Sequence, residues 1–342
     1  MIIDAHQHFW GGEGEAHGSP YLPPQYLDDV APLAAALRAS VFIECNTHYD
    51  AMVPSALQAT GETRFAANIG ALHAGSNICL AAALVGFADP FDGRVPFEAV
   101  LDAHLAAAPD RLRAIRRCAA WDEDETLNYQ ILRTRRGMLG ETRLEAALHA
   151  LAERDLMFET WIYHTQIREL AGLARAVPEC TIILDHAAIP LAKGRFTGAP
   201  DLTSNWRDAT ARLAEMPNVQ VKIGGLITPG TAVDATLARR GLRRWTSATL
   251  AEALAPYLEH LVRSFGADRC LFESNFPVDK RRCDFPTLVE AYTLALGGIS
   301  GIGAEQRAAI FAANAARLYR IALRGAPSDT WVPDHAGRGW LK

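Results

Sequence analysis

Two histidines near the N-terminus are spaced so that they can act together. His6 and His8 stand in the segment DAHQH, directly after a short apolar run. Because successive side chains of a β-strand point to opposite faces, residues two apart share a face, and both imidazoles can converge on one ion or one substrate group. Core packing rarely places two histidines side by side at a strand end. We therefore interpret the pair as part of a functional site.

Two more histidines follow later apolar runs. His186 ends the run IILDH and supplies a third imidazole at the same edge, where Asp185 either orients it or faces the outer helices. His164 follows the run FETWIY and is a fourth candidate, although the start of a helix explains its position equally well. The sequence therefore predicts metal ligands drawn from His6, His8, His186 and His164.

Two adjacent arginines are candidates for binding a substrate anion. Alternation along a strand sends one of Arg116 and Arg117 inward and the other outward. An inward guanidinium suits bidentate binding of a carboxylate or sulfonate. We add Glu44, Trp161 and Tyr163 as candidate substrate-binding residues, with core packing as the alternative for the two aromatic residues.

A carboxylate and an amide two residues apart follow the last apolar run, so both side chains point to the same face of the strand. Glu273 lies one layer deeper than Asn275 if the amide reaches the open end of the fold. A carboxylate buried at that depth must be paired or protonated.

The elements that position these residues alternate in type along the chain. Eight short apolar runs are separated by segments with helical periodicity, such as 142–154, 166–177 and 249–265, the last of which ends at Gly266. We predict a (β/α)8 barrel, a single domain over residues 1–322 with insertions in its βα loops. A doubly wound open sheet is the rival, but no G-x-G-x-x-G motif follows an early run. The predicted strands are 2–5, 41–45, 82–88, 112–118, 156–162, 181–184, 219–223 and 270–272.

Two insertions and a tail interrupt this rhythm. Residues 11–25 follow the first predicted strand and residues 228–245 follow the seventh, at the end where barrel enzymes hold their active sites, so both are candidate lids. The arginines of the second insertion either close on an anionic substrate or form a solvated helix face. Residues 323–342 form an extended tail that wraps the barrel or contacts a second subunit of a homodimer. The four arginines are Arg239, Arg240, Arg243 and Arg244.

Composition narrows the class of protein. The chain has 342 residues, of which 34 are Lys or Arg and 39 are Asp or Glu, for a net charge of −5. This balance offers no broad positive field for nucleic acid or for an anionic membrane. No apolar stretch reaches the length of a bilayer span, and the N-terminus lacks a signal-peptide pattern. Six scattered cysteines are typical of reduced thiols, so we expect a cytoplasmic protein with a small-molecule substrate.

Several segments together resemble one enzyme family. IIDAHQHFW, LDHAAIP, VKIGGL, PYLEHLVRSFGADRCLFESNFPVD and FAANAARLYRI are similar to motifs of the amidohydrolase-2 branch of the amidohydrolase superfamily. Within that branch the chain most resembles the lactonases that include fuconolactone and rhamnonolactone hydrolases, 2-pyrone-4,6-dicarboxylate lactonase and sulfomuconolactone hydrolase. The resemblance covers residues 2 to about 322.

The resemblance implies hydrolysis of a lactone C–O bond, with His6, His8 and His186 at the centre and Arg116 or Arg117 binding an anion. Asn275 departs from the family pattern, because many relatives have an Asp there that serves as metal ligand or general base. An amide is neutral near pH 7 and cannot accept a proton from water.

Two mechanisms accommodate this substitution. We favour a single zinc ion held by His6, His8 and a further His or acid, which lowers the pKa of its bound water. The metal-free alternative uses His186, Glu273 or Asp279 to activate water while arginine neutralises the oxyanion.

Hydrolysis of a small anionic lactone to a hydroxy acid is the predicted activity. The alternatives are zinc-dependent non-oxidative decarboxylation of an aromatic or muconic acid, isomerisation of a sugar lactone, and a catalytically inactive binding protein with the same fold.

Overall fold

Eight parallel strands form the centre of the molecule, and each strand pairs with the next one along the chain. The computed structural model describes residues 1–11, 18–199, 201–241 and 245–322. The predicted (β/α)8 barrel is confirmed, and a strand overlaps each of the eight predicted runs, although β2 and β3 begin four and three residues earlier than predicted. The strands are β1 Ile2–Gln7, β2 Leu37–Ile43, β3 Cys79–Phe87, β4 Leu112–Arg116, β5 Met157–Thr160, β6 Ile182–Leu184, β7 Val219–Lys222 and β8 Cys270–Leu271.

Backbone hydrogen bonds bring the last strand against the first. The Ala5 amide donates to the carbonyl oxygen of Phe272 over 3.3 Å, and the Asn275 amide donates to that of His6 over 2.9 Å. A parallel bridge between Gln7 and Phe276 continues this pairing beyond β8. The residues just after β8 are therefore held beside the H-x-H segment.

The helices lie around the barrel and follow the predicted periodicity. The predicted segments 142–154, 166–177 and 249–265 correspond to α4, α5 and α8, and α8 ends at Gly266, whose φ is 82°. That conformation is accessible to glycine without steric penalty. The α-helices are α1 Pro23–Val30, α2 Thr60–Leu72, α3 Phe97–Ala107, α4 Thr142–Ala152, α5 Ile167–Ala176, α6 Leu202–Leu213, α7 Ala232–Arg239, α8 Ser247–Phe265, α9 Phe285–Gly297, α10 Ala304–Ala308 and α11 Asn314–Leu318.

Apolar side chains pack on both faces of the strands. The larger cluster lies between strands and helices and includes Trp206, which is fully buried. A second cluster lies inside the barrel, where Val41, Val85 and Ile183 pack with Tyr319 from the C-terminal segment. These side chains fill the interior on one side of a polar layer, as expected for a barrel that is a packed core rather than a pore.

The predicted insertions are partly covered by the described residues. Residues 12–17, 242–244 and the predicted tail 323–342 lie outside them, and with them Arg243 and Arg244. In the second insertion, Arg240 forms an exposed ion pair with Glu252 on α8 over 2.9 Å, which agrees with the alternative of a solvated helix face. The six cysteines form no disulfide. Within the described parts of the chain, no helix is long and apolar enough to cross a membrane.

Candidate active site

The two histidines of the H-x-H segment meet inside the barrel. His6 is fully buried and His8 nearly so, and their Nε2 atoms lie 3.2 Å apart. The Nδ1 of His8 lies 2.9 Å from the carbonyl oxygen of Ile43, so this nitrogen carries the proton and Nε2 has a lone pair. Burial lowers the pKa of both histidines, and both rings are therefore neutral near pH 7.

A shift in strand register allows this arrangement. Asp4 has the same parity as His6, yet it accepts a hydrogen bond from the Tyr26 hydroxyl on α1, whereas His6 lies among the polar groups inside the barrel. The pairing of β1 with β2 changes register between Asp4 and Gln7. The irregularity separates a residue that anchors α1 from the two that build the site.

His186 joins the pair from the turn after β6. Its ring centroid lies 4.6 Å from that of His6, and its Nδ1 lies 2.8 Å from Oε1 of Glu273. Burial opposes the charged form of His186, but the Glu273 carboxylate outweighs burial and raises its pKa. The same pairing overcomes burial at Glu273, whose pKa falls to about 2. Glu273 therefore fixes the imidazole with Nε2 as its remaining nitrogen.

Two glycines after β7 make room for this pair. A Cβ on Gly224 would lie 2.2 Å from Cγ of Glu273, and a Cβ on Gly225 would lie 2.3 Å from the ring of His186. Gly225 also has a φ of 64°, which favours glycine. The VKIGGL motif thus combines close approach of the backbone with a left-handed turn.

A buried ionic layer lies against the histidines. The ammonium of Lys222 donates to Glu159, and it lies 3.2 Å from Oδ1 of Asp185 and 3.2 Å from Nδ1 of His6. The Tyr319 hydroxyl donates to the second carboxylate oxygen of Glu159 over 2.9 Å. Burial and the Asp185 charge raise the pKa of Glu159, whereas Lys222 and His6 overcome burial and hold that of Asp185 low.

The charges of this layer do not cancel among the residues described. Four buried carboxyl groups face two permanently charged cations, which leaves two negative charges when every acid is ionised. A divalent cation balances that excess, and so do a protonated Glu159 and a protonated His186. The six groups are the carboxyls of Glu44, Glu159, Asp185 and Glu273 and the cations of Arg116 and Lys222.

The residues present fit a single metal ion. Two nitrogens bound to a tetrahedral zinc ion are about 3.3 Å apart, close to the separation of the Nε2 atoms of His6 and His8. His6, His186 and Glu273 also offer ligand atoms within 4.8 Å of one another, and Oε2 of Glu273 lies 3.0 Å from Nδ1 of His6.

A second group of ligand-type atoms is already taken by a protein cation. His6, Glu159 and Asp185 also have ligand-type atoms within 4.8 Å of one another. The Lys222 ammonium contacts all three, and its own positive charge would repel a metal ion there. The geometry therefore favours one metal position rather than two.

The segment after β8 places a carboxyl beside the amide that replaces the expected acid. Asn275 donates from Nδ2 to Oδ1 of Asp279 over 3.2 Å, and the Thr228 hydroxyl donates to the same oxygen over 2.8 Å. Asp279 is 1% exposed, and burial raises its pKa to about 7. This carboxyl is electrostatically linked to His186 and Glu273.

The two adjacent arginines point in different directions, as alternation predicts. Arg116 faces inward, where its nitrogens contact Oε1 and the carbonyl oxygen of Glu44 and Oδ2 of Asp185. Arg117 donates to the carbonyl oxygens of Cys118 and Leu132. Every guanidinium nitrogen of Arg116 has a protein acceptor. The structure therefore presents neither arginine as an unpaired cation for a substrate.

Two of the other candidates lie away from the histidine cluster, and a third is taken up by an ion pair. His164 accepts from the Leu191 amide over 3.4 Å and packs on Phe196, and it is not in either group of metal-ligand atoms among the described residues. Tyr163 is buried and its hydroxyl donates to a loop carbonyl. Glu44 holds Arg116. Core packing explains the position of Tyr163, helix-start geometry that of His164, and the ion pair with Arg116 that of Glu44.

Trp161 has a different environment. It has the same parity as Glu159 and follows β5, and its indole Nε1 is buried without a hydrogen-bond partner in the part of the chain that the structure describes. Its ring lies 5.5 Å from that of Tyr129, over which the Lys193 ammonium sits at 5.7 Å. No carboxylate pairs with Lys193 among the described residues. These three side chains form an aromatic and cationic group, which we call the Trp161 rim.

Sequence reasoning missed part of this site. Lys222, Glu159 and Thr228 were not singled out, and neither was Lys193. A charged residue inside a short, otherwise buried strand was the available signal, since Glu159 lies in MFET and Lys222 in VQVK. Thr228 and Lys193 lie in loops, where periodicity carries no signal.

The fold and site together define a (β/α)8 barrel with a histidine and carboxylate centre of the hydrolase type. A family model described as amidohydrolase matches residues 3–321. The chain belongs to this amidohydrolase family, which confirms the resemblance read from its motifs.

Similar proteins cover almost the whole chain. It is 30% identical to the uncharacterized protein y4mH of Sinorhizobium fredii, over 94% of this chain and 98% of that one. It is 28% identical to an L-fucono-1,5-lactonase of Burkholderia ambifaria, over 93% of this chain and 95% of that one.

Solved structures share the fold. An amidohydrolase of Burkholderia multivorans with bound Hepes superposes with a TM-score of 0.68 at 22% identity, covering 94% of this chain and all of that one. A second structure of an amidohydrolase of that species, with bound zinc, superposes with a TM-score of 0.66 at the same identity and coverage.

Proposed function

We propose that this protein hydrolyses a small anionic lactone to the corresponding hydroxy acid. The observation that carries the proposal is the convergence of His6, His8 and His186 in one buried volume, with Glu273 paired to His186. Imidazoles held this way can bind a metal, stabilise charge or move protons. The 28% identity to an L-fucono-1,5-lactonase supports a lactone as substrate.

A single zinc ion is part of the proposal. His6 and His8, with His186 or Glu273, would hold it, and zinc bound to the related barrel from Burkholderia multivorans supports the choice of metal. When bound, zinc supplies Lewis-acid stabilisation of negative charge on the ring carbonyl and increases the acidity of water.

The chain's own residues orient the groups around the scissile bond. Glu273 accepts the Nδ1 proton of His186 and so leaves Nε2 as the remaining nitrogen of a ring whose centroid lies 4.6 Å from that of His6. Water adds to the ring carbonyl carbon, the ring C–O bond breaks, and the ring oxygen leaves as an alcohol. Lys222 and Arg116 hold the Asp185 carboxylate in place, because Lys222 contacts its Oδ1 and Arg116 contacts its Oδ2.

The Trp161 rim supports a negatively charged substrate. Lys193 has no carboxylate partner among the described residues and lies beside an aromatic face. The unpaired indole Nε1 of Trp161 is a donor suited to an oxygen of the same substrate. Arg116 and Arg117 are already paired, so the rim is the better candidate for anion binding.

A panel of lactones tests the activity. Sugar lactones, muconolactones and pyrone dicarboxylates are followed by proton release at neutral pH against enzyme-free blanks. We expect hydrolysis of one class, with His6→Ala and His186→Ala at least about 100-fold slower in kcat/KM. His149→Ala is the matched control, because His149 is exposed and pairs with Glu179. Silence of the wild type across the panel, with carbon dioxide release from carboxylated aromatic acids, would establish decarboxylation instead.

The metal is tested separately on protein purified without chelators. We expect about one zinc ion per chain by elemental analysis, and a His8→Ala variant that retains little zinc. Full activity in a metal-free sample would refute the zinc part of the proposal and leave the histidine-based mechanism.

A further inference from the structure

Asp279 and Asp4, two buried aspartates near the site, differ in how their oxygens are satisfied. Asp4 accepts bonds at both oxygens, from the Ser274 backbone at Oδ1 and from Ser274 and Tyr26 hydroxyls at Oδ2. Asp279 accepts both of its side-chain bonds at Oδ1, from Thr228 and Asn275. Its Oδ2 is buried and has no partner in the described chain. Oδ2 of Asp279 is therefore available to accept a hydrogen bond or a proton from a bound molecule.

The backbone holds the Asp279 carboxyl beside the side chain of Asn275. The Asp279 amide donates to the carbonyl oxygen of Asn275 over 3.1 Å, which forms one turn and places the two side chains on the same side. Asn275 itself has a φ of 56°, a conformation that Asn adopts more readily than most residues. The amide is thus a donor that holds a carboxylate four residues further on.

The charged and titratable surroundings of Asp279 come from three elements. His186 lies after β6, Glu273 after β8, and Cys283 and Tyr292 before and within α9, and all four interact with Asp279 electrostatically. Burial raises the pKa of Asp279 to about 7, with Thr228 and His186 opposing this. Such a group exchanges a proton readily near neutral pH.

We propose that Asp279 is the general base of the reaction, with Oδ2 accepting a proton from the attacking water and Asn275 and Thr228 acting as positioning residues through Oδ1. This role rests on the proposed lactone hydrolysis. As the water oxygen bonds to the carbonyl carbon, its proton passes to Asp279. When the ring C–O bond breaks, the same proton passes to the ring oxygen, so the carboxylate is regenerated and the hydroxy acid is released.

The test compares Asp279→Asn, Asn275→Asp and Thr228→Val in the full chain. Asp279→Asn should lower kcat at least about 100-fold with little change in KM, and should remove the acid limb of the profile of kcat/KM against pH. Asn275→Asp sets a second carboxylate about 3 Å from the first, and Thr228→Val removes a donor, so both should move that limb to higher pH. Asp284→Asn, at the start of α9, is the matched control and should leave the profile unchanged.

Each outcome separates this role from the activity itself. Wild-type protein that hydrolyses no lactone contradicts the proposed function. Wild-type hydrolysis with an Asp279→Asn variant that keeps its rate and its acid limb contradicts only the role of Asp279. If circular dichroism shows that Asp279→Asn does not fold, the acid limbs of the pH profiles of Asn275→Asp and Thr228→Val provide the test. Limbs that stay at the wild-type pH would refute the role of Asp279 as general base.

Discussion

The buried ammonium of Lys222 should be a major determinant of stability. Lys222→Met keeps an unbranched side chain of similar size and removes its charge, which leaves Glu159 without a cation and Asp185 with Arg116 alone among the described residues. The side chains of Lys222, Glu159 and Asp185 are fully buried. Coulomb's law with an effective dielectric constant of about 20 gives about 5 kcal/mol for a pair at the 3.2 Å separation from Asp185. Protonation of Glu159, whose pKa is already raised, offsets part of this loss.

We therefore expect Lys222→Met to lower the free energy of unfolding by about 3–5 kcal/mol. Urea denaturation measures it, followed by tryptophan fluorescence and circular dichroism so that coincident curves establish two-state unfolding. Adding Glu159→Gln to Lys222→Met removes one of the stranded charges and should restore part of the loss. The matched control is Arg240→Met, which breaks an exposed pair with Glu252 and should change stability by less than about 1 kcal/mol.

Equal losses in Lys222→Met and Arg240→Met would refute the reasoning. That result would mean that Glu159 and Asp185 share a proton without penalty, and that the ammonium does not balance the layer. A double variant no more stable than Lys222→Met alone would point to lost packing instead of unbalanced charge.

Two other substitutions probe the glycines and the pH dependence. Gly225→Ala places a Cβ against the His186 ring, so it should abolish most activity and destabilise the fold by about 2 kcal/mol. Gly172→Ala is the control, because there is open space around Gly172, and it should have neither effect. Lactone assays and urea midpoints compare the two variants. Burial lowers the pKa of His104 to about 4, below its unfolded value of 6.5, so its contribution to stability is complete above pH 6.5 and is lost as pH falls from 6.5 towards 4. His104→Gln should therefore reduce, by about 2 kcal/mol, the free energy of unfolding that the protein loses between pH 7 and pH 5, whereas His149→Gln, at an exposed position, should not. Urea denaturation at the two pH values measures this loss, and an equal loss in wild type and His104→Gln would contradict the prediction.

The barrel could be predicted because its signal is local. Alternating apolar strands and amphipathic helices occur in fixed order, and parallel strands joined by helices close in only a few ways. The spacing of His6 and His8 predicts that they share a face, although a register shift is needed to point them inward, and Gly266 ends α8 as its position predicts.

The distribution of charge across the barrel could not be predicted in the same way. Arg116 was a candidate for binding substrate, but Glu44 and Asp185 reach it from β2 and β6 and use its donors. Lys222 contacts His6 from a position 216 residues away in sequence. Such pairings depend on which side chains share a layer of the closed sheet.

The amino-acid sequence by itself determined the order of strands and helices, the family, and the residues that reach the carboxyl ends of the strands. Only the tertiary structure decided which of those residues pair with one another. In the tertiary structure Asp279 accepts hydrogen bonds from Asn275 and Thr228, and Lys222 forms ion pairs with the carboxylates beside His6. Lys193 has no carboxylate partner among the described residues. The physical reason is that hydrophobic periodicity is set by near neighbours, whereas the energy of a buried charge depends on every group within a few ångströms, from whatever part of the chain.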